Sequence, residues 1–198
     1  GMAGAMFLPN GEVRMHTSMK SDRQFQPPTE PNPQLLVRHV LDGIKVLLPL
    51  KDMHVPPGHG RCAEVALVSD RVHELAAQWK ARYGTEPELS LDAIRARLVE
   101  KMGVEFPPDS SSDGTTERRS SEQTPQPARD EDQRPPLDTF TDLVIRELQG
   151  SVVTTHRIGE SFGDERHGEF AGPCNTCKYL LSFFDAEHLD SWPDTPPD

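Results

Sequence analysis

The sequence predicts an α/β fold, because segments with helical periodicity alternate with short β-branched or continuous apolar segments. In residues 62–82 the apolar side chains recur every three or four positions, which is typical of a helix with one buried face. Residues 152–158 are rich in valine and threonine and predict a strand. The apolar run 43–50 is interpreted as a buried strand, and residues 34–42 fit either a helix or a strand.

Start and stop signals define the remaining helices. Gly84 ends the helix that begins at residue 62, since glycine tolerates the left-handed conformation that follows many helices. Ser90 is a suitable N-cap for the next helix, and Gly150 follows the third. Helices are therefore predicted over 62–82, 90–102, 139–149 and 174–186.

These elements suggest one domain with appendages. Residues 1–33 are polar and proline-bearing and are interpreted as a loose N-terminal arm, with a hairpin signal at Asn10-Gly11. Residues 34–188 form the domain. Within it, residues 107–137 are a low-complexity insertion predicted to be disordered, because they lack the apolar side chains needed to offset ordering entropy. Residues 189–198 form an acidic tail.

Composition narrows the class of protein. The net charge of −11 falls entirely in residues 106–198, since residues 1–105 carry equal numbers of acidic and basic side chains. A basic nucleic-acid footprint is therefore missing, and an acidic surface suits a small substrate held in a pocket. No apolar run is long enough to cross a bilayer, and no signal peptide is recognised, so a cytoplasmic site of action is expected.

Two short motifs contain all three cysteines of the chain. The first, Cys62-Ala63-Glu64, has the form C-x-E. The second, Pro173-Cys174-Asn175-Thr176-Cys177, has the form P-C-x-x-C. The cysteines of the second motif are one helical turn apart, so their side chains face the same way. An odd number of cysteines argues against a disulfide framework and favours thiols that are available to a metal.

This combination is typical of a zinc-dependent deaminase. Three thiolates, from Cys62, Cys174 and Cys177, would bind Zn²⁺ and leave its fourth position for water, as in catalytic zinc sites. Glu64 would be the general acid and base that moves protons between water and substrate. Two other interpretations remain open for the same residues. One is a structural zinc site in a non-catalytic binding module of the same fold, and the other is a thiol redox pair or disulfide.

The wider context, His59-Gly60-Arg61-Cys62-Ala63-Glu64-Val65 together with Ala171-Gly172-Pro173-Cys174-Asn175-Thr176-Cys177-Lys178, resembles the cytidine deaminase superfamily. It looks most like the YwqJ-like deaminases of bacterial polymorphic toxin systems. The resemblance implies a three-layer α-β-α fold with a mixed central sheet. It also implies hydrolytic removal of the exocyclic amine of a cytosine-type base, with zinc on the three cysteines and Glu64 as proton shuttle. A toxin role would bring an immunity-type protein partner.

Residues beside the motifs are candidate substrate contacts. His59 lies three positions before Cys62, where it would touch the substrate or cap the turn. Phe170 belongs to the loop that leads into the second motif. The candidate set is His59, Ala63, Phe170 and Pro173.

Two features depart from nucleoside deaminases. The motifs are 112 positions apart, whereas nucleoside deaminases have a short span, and their sugar-binding residues have no match here. The acidic second half also departs from what an editor of DNA or RNA requires. The sequence therefore leaves open whether the base is free, in a nucleotide or in single-stranded nucleic acid, and it leaves the oligomeric state open.

Overall fold

The structure is a computed structural model that describes residues 1–18, 33–57, 59–108, 139–158 and 165–189. These ranges contain five α-helices and four β-strands, which confirms the predicted α/β class. In chain order the elements are β1 (Met2–Phe7), β2 (Val13–Thr17), α1 (Leu35–Leu47), α2 (Ala63–Tyr83), α3 (Leu91–Met102), α4 (Phe140–Leu148), β3 (Val152–Arg157), α5 (Asn175–Phe183) and β4 (Glu187–Leu189).

The four strands form one mixed sheet in the order β2-β1-β3-β4. β1 pairs antiparallel with both β2 and β3, so that Ala5 lies opposite Met15 on one side and Thr154 on the other. β3 pairs parallel with β4, and α5 makes the crossover that a parallel pair requires. The mixed sheet expected from the sequence is confirmed.

The N-terminal residues belong to this sheet, so the prediction of a loose arm over 1–33 is wrong for residues 2–17. The Asn10-Gly11 hairpin signal is correct: Gly11 takes a φ of +85°, and the Leu8 N–H donates to the Glu12 carbonyl at 2.8 Å. The sequence of β1 gives little indication of a strand, because alanine and glycine have low β-propensity. Residues 19–32 of the predicted arm lie outside the described residues.

The strand predicted over 43–50 is also wrong, because α1 continues through it to Leu47. The buried side chains of α1 follow helical spacing across the supposed boundary; they are Leu36, Val37, Val40, Leu41, Ile44 and Leu47. Gly43, the first residue of the predicted strand, lies instead at a contact between two helices. A Cβ atom at this position would lie 2.3 Å from Leu98 Cδ1 of α3, so the missing side chain lets the two helices approach.

The helices pack on one face of the sheet in the described ranges. Gly4, Met6 and Val153 are buried on the face covered by α2, and Arg14 of β2 binds Glu74 of α2 at 2.6 Å. α5 also contacts the sheet, whereas α1, α3 and α4 pack on α2 or α5. The described residues thus form two of the three expected layers. The opposite face carries three exposed apolar side chains: Phe7, Val13 and Met15.

The other helices confirm their sequence signals. α2 ends at Gly84 in the left-handed conformation, and Trp79 lies in the core. Ser90 Oγ accepts from the Ala93 N–H at the start of α3. Thr139 and Asp142 form a capping box at the start of α4.

The chain beyond α5 returns to the sheet, because residues 187–189 form β4. Asp185 adopts a φ of +52° and accepts from Arg97 at 2.7 Å and Lys101 at 2.6 Å. Burial opposes ionisation of Asp185, but these two hydrogen bonds prevail and hold its pKa below the ordinary value. Asp185 therefore fastens the end of α5 to α3.

Two predicted segments fall almost wholly outside the described residues. Only residues 107 and 108 of the insertion predicted over 107–137 are described, and only Leu189 of the acidic tail 189–198. Among the helices of the described ranges, none is long and apolar enough to span a bilayer.

The close approach of β1 to α2 predicts that Gly4→Val is destabilising. A Cβ at Gly4 would lie 3.1 Å from Ala63 Cβ and Leu67 Cδ1 and 3.2 Å from Thr155 Cγ2, and the two added methyl groups would meet the same atoms. We expect a loss of about 1–3 kcal/mol in the free energy of unfolding, measured by urea denaturation. Ala5→Val, one position along on the other face, is the matched control, and equal stability of the two variants would contradict the packing described here.

Asp185→Asn is predicted to lower the free energy of unfolding by about 1 kcal/mol at neutral pH, since asparagine tolerates the same backbone but forms no ion pair. Because the folded-state pKa of Asp185 lies below its unfolded value, the stabilisation is fully present above the unfolded pKa of about 3.9 and is lost as pH falls through the folded value. Thermal unfolding from pH 7 down to pH 3 tests this, with Glu187→Gln as control. A difference that does not shrink with acid would refute the ionic origin.

Candidate metal and active site

The first half of the site is the N-terminus of α2. Cys62 is the N-cap residue, with extended angles φ −72° and ψ 158°, and Ala63 and Glu64 are the first helical residues. Because Cys62 lies outside the regular helix, its side chain does not follow helical spacing. The carboxyl group of Glu64 is thereby on the same side as the thiols, within hydrogen-bonding reach of Cys177.

The second half is the N-terminus of α5. Cys174 is again an extended N-cap residue, and Cys177 lies fully buried one turn further on. The loop before α5 is fastened to β3, because Thr155 Oγ1 donates to the Ala171 carbonyl at 2.6 Å and the Ala171 N–H donates to the Thr155 carbonyl at 2.9 Å. These bonds bring the start of α5 to the start of α2.

The three sulfur atoms converge between the two helix starts. Cys174 Sγ lies 3.7 Å from Cys62 Sγ and 3.5 Å from Cys177 Sγ, and all three lie within 4.8 Å of one another. These distances are too long for a disulfide, and the cysteines are free. Thiolates at about 2.3 Å from a tetrahedral zinc ion are about 3.8 Å apart. The spacing therefore fits a three-cysteine zinc site.

The thiols differ in how readily they lose a proton. The hydrogen-bonded contacts of the Cys174 sulfur with Cys177 and then with Cys62, against the opposing effect of burial, hold the pKa of Cys174 far below its usual value. The backbone N–H groups of Cys177 and Thr176 act in the same direction. The same sulfur–sulfur contacts, together with burial, raise the pKa of Cys177. The metal-free cluster thus carries its first negative charge on Cys174.

Glu64 is a buried carboxyl group beside this cluster, with a relative exposure of 5%. Burial raises its pKa above the ordinary value, and the charge on Cys174 adds to the rise. Its own backbone N–H, His188 and the Cys177 thiol act in the opposite direction. A buried carboxyl with a raised pKa beside potential metal ligands is suited to accept and donate protons.

A sequence model of the YwqJ-like deaminase family matches residues 1–119. The chain belongs to the YwqJ-like deaminase family. Cys62 and Glu64 lie within the matched residues, whereas Cys174 and Cys177 lie beyond them and are joined to the first motif by the sulfur distances. No curated protein and no solved structure matches the chain. Membership in a deaminase family indicates deaminase activity.

In this YwqJ-like deaminase, two of the predicted substrate contacts flank the cysteines. Ala63 is fully buried against β1, 3.1 Å from the position of a Cβ atom at Gly4. Pro173 lines a surface cavity of about 380 Å³, together with Lys178 and His188. Contact of Ala63 and Pro173 with a substrate stays a prediction.

The other two predicted contacts are engaged within the chain. The ring nitrogens of His59 meet Thr176 Oγ1 at 2.8 Å and the Leu41 carbonyl at 3.1 Å. The ring of Phe170 packs on His156, with ring centroids 4.3 Å apart. Since His156 alternates with Thr155 along β3, this ring pair lies on the sheet face opposite the helices. A substrate contact by His59 or Phe170 likewise stays a prediction.

Sequence reasoning missed His188 and Thr176. His188 lies on β4 in register with Val153, contacts Thr155 Oγ1 at 3.2 Å, and acts electrostatically on Glu64. A strand of three residues gives no usable periodicity, so nothing in the sequence pointed to His188. Thr176 occupies a variable position of the C-x-x-C motif and is fully buried.

Zinc is predicted to protect all three thiols from modification. In the metal-free chain Ellman's reagent should titrate three thiols per chain after mild unfolding, and an equimolar zinc ion should slow their reaction in the folded protein by at least about tenfold. Addition of a chelator should restore the original rate, which serves as the control. Equal reaction rates with and without zinc would contradict a shared metal site.

Proposed function

We propose that this chain is a zinc-dependent hydrolase that removes the exocyclic amine from a cytosine-type base. The observation that carries the proposal is the buried carboxyl group of Glu64, which lies in the first turn of α2 against the three-cysteine cluster. A structural zinc site has no need of a buried carboxyl that is not a ligand, because burying such a group is unfavourable.

The residues that would hold the metal are Cys62, Cys174 and Cys177. When bound by three protein ligands, zinc keeps one position for water and lowers the pKa of that water to about 7, which supplies a nucleophile at neutral pH. The helix N-termini next to Cys62 and Cys174 favour the negative charge of the thiolates. Cys177 is buried and the other two cysteines are half-buried, so electrostatic interactions within the cluster are stronger than in bulk water.

Glu64 would move the protons of the reaction. Hydrolysis places the oxygen of water on the carbon that bears the amine, and the carbon–nitrogen bond breaks. One water proton ends on the ring nitrogen and the other leaves with the amine as ammonia. A carboxylate that accepts a proton and releases it at a second atom performs both transfers without leaving its place in the helix.

The cytosine-type base is supported by the family and by the likeness of both motifs to cytidine deaminases. The acidic charge of the chain supports a substrate that is recognised in a pocket rather than along a phosphate backbone. A free base, a nucleotide and a short single strand remain the substrates to compare. A toxin role with an immunity-type partner is the corresponding proposal for the biological setting.

Glu64→Gln is predicted to abolish turnover while the metal is retained. Glutamine keeps the size and polarity of the side chain but accepts no proton, so ammonia release should fall by at least about 100-fold. Ammonia is measured enzymatically with cytidine, its nucleotides, single-stranded DNA and single-stranded RNA, and zinc is measured by elemental analysis of the same samples.

Glu100→Gln, an exposed glutamate on α3, is the matched control and should behave like the wild type. Full activity in Glu64→Gln would contradict the proposed role of Glu64. Zinc at one per chain without ammonia from any substrate in the wild type would favour the non-catalytic binding module of the same fold.

A further inference from the structure

We infer that His59 and Thr176 form a positioning pair, which fixes Cys62 against Cys174 and Cys177 in the geometry that a metal requires. This inference rests on the proposed metal function of the three-cysteine site. Cys62 is 112 positions away from Cys174, so the backbone alone does not hold the two motifs together. The bonds between Thr155 and Ala171 bring the two helix starts together, and a side-chain contact between the motifs adds to them.

The contact is direct. His59 lies three residues before Cys62, and its Nδ1 is 2.8 Å from Thr176 Oγ1. Thr176 lies between the two cysteines of the second motif and is fully buried. The hydrogen bond therefore joins the approach to α2 with the first turn of α5, at the residue next to Cys177 and two residues after Cys174.

The chemistry of the groups fixes the direction of each bond. The Leu41 carbonyl only accepts, so Nε2 of His59 carries a hydrogen and donates to it at 3.1 Å. In the neutral ring Nδ1 is then an acceptor, and the Thr176 hydroxyl donates to it. One imidazole ring thus ties together α1, the loop before α2 and the start of α5. Both of its nitrogens are used in doing so.

Neighbouring contacts support the same junction. Asn175 Nδ2 donates to the backbone carbonyl of His54 at 3.2 Å, and Tyr179 OH lies 3.6 Å from Met53 Sδ. The loop that precedes Cys62 is therefore attached to the first turns of α5 at three points. On the side of the first motif, His59 is nearer to Cys62 than His54 or Met53, and its partner Thr176 is fully buried next to Cys177, so this bond acts most directly on the sulfur positions.

The test uses His59→Ala and Thr176→Val, which each remove one partner. Thr176→Ser keeps the hydroxyl, and His54→Ala removes a histidine of the same loop whose exposed side chain is outside the junction. Zinc-loaded chains are mixed with a chromogenic chelator and the rate of zinc transfer is followed. The visible spectrum of the Co²⁺-substituted chains, with its thiolate charge-transfer and d–d bands, reports the ligand geometry without any need for activity.

We expect His59→Ala and Thr176→Val to release zinc at least about tenfold faster than the wild type and to show altered Co²⁺ bands. Thr176→Ser and His54→Ala should stay within about twofold of the wild type, with unchanged bands. Where His59→Ala does not fold, the near-isosteric Thr176→Val decides the outcome. Wild-type rates and spectra in Thr176→Val would overturn the positioning role alone, whereas a wild type that shows no cobalt–thiolate bands would overturn the metal site itself.

Discussion

Three sulfur atoms held within 4.8 Å of one another in a half-buried position set the main physical constraint on this fold. Thiolates at this spacing repel one another strongly where the dielectric constant is low, so the cluster bears its full charge only with a cation among them. Within the cluster Cys174 loses its proton most readily, because the pKa of Cys174 lies below its usual value and the pKa of Cys177 lies above it. The two helix N-termini that meet here favour anions, and this explains why both motifs begin a helix.

The remainder of the structure brings those helix starts together. β1 carries a glycine where α2 approaches closely, and residues 168–171 are hydrogen-bonded to β3 shortly before the chain reaches Pro173. Asp185 then anchors the far end of α5 to α3. Each of these contacts joins residues that are far apart in the sequence, yet all of them act on α2 or α5. The raised pKa of Glu64 depends on this arrangement, because it comes from burial of the carboxyl group and from the negative charge on Cys174.

How much the sequence predicts depends on whether the signal is local. The start of α3 at Ser90 and the end of α2 at Gly84 were predicted correctly, because a cap is decided by a few adjacent residues. The second half of α1 was not, because the continuous apolar run 43–50 fits a buried strand as well as a helix, and the packing of Gly43 on Leu98 joins residues more than fifty positions apart. Likewise the Asn10-Gly11 turn predicted a hairpin, but its place inside the sheet is set by pairing with β3.

The residues of the candidate site likewise fall into two groups, those with a local sequence signal and those without one. Spacing rules and thiol chemistry identify Cys62, Glu64, Cys174 and Cys177, since each motif is complete within a few residues. His188 and Thr176 are recognised only from contacts across the fold, and the family match itself ends before the second motif. The two motifs are therefore shown to share one site by the sulfur distances rather than by sequence comparison.

In the proposed site, three thiolates hold a zinc ion and leave one position of the metal for water. X-ray absorption at the zinc edge of the loaded protein tests it most directly, because sulfur and oxygen neighbours differ in scattering and in distance. We expect three sulfur neighbours at about 2.3 Å and one oxygen neighbour at about 2.0–2.2 Å. A zinc ion surrounded only by nitrogen and oxygen, or by four sulfur atoms shared between two chains, would contradict it.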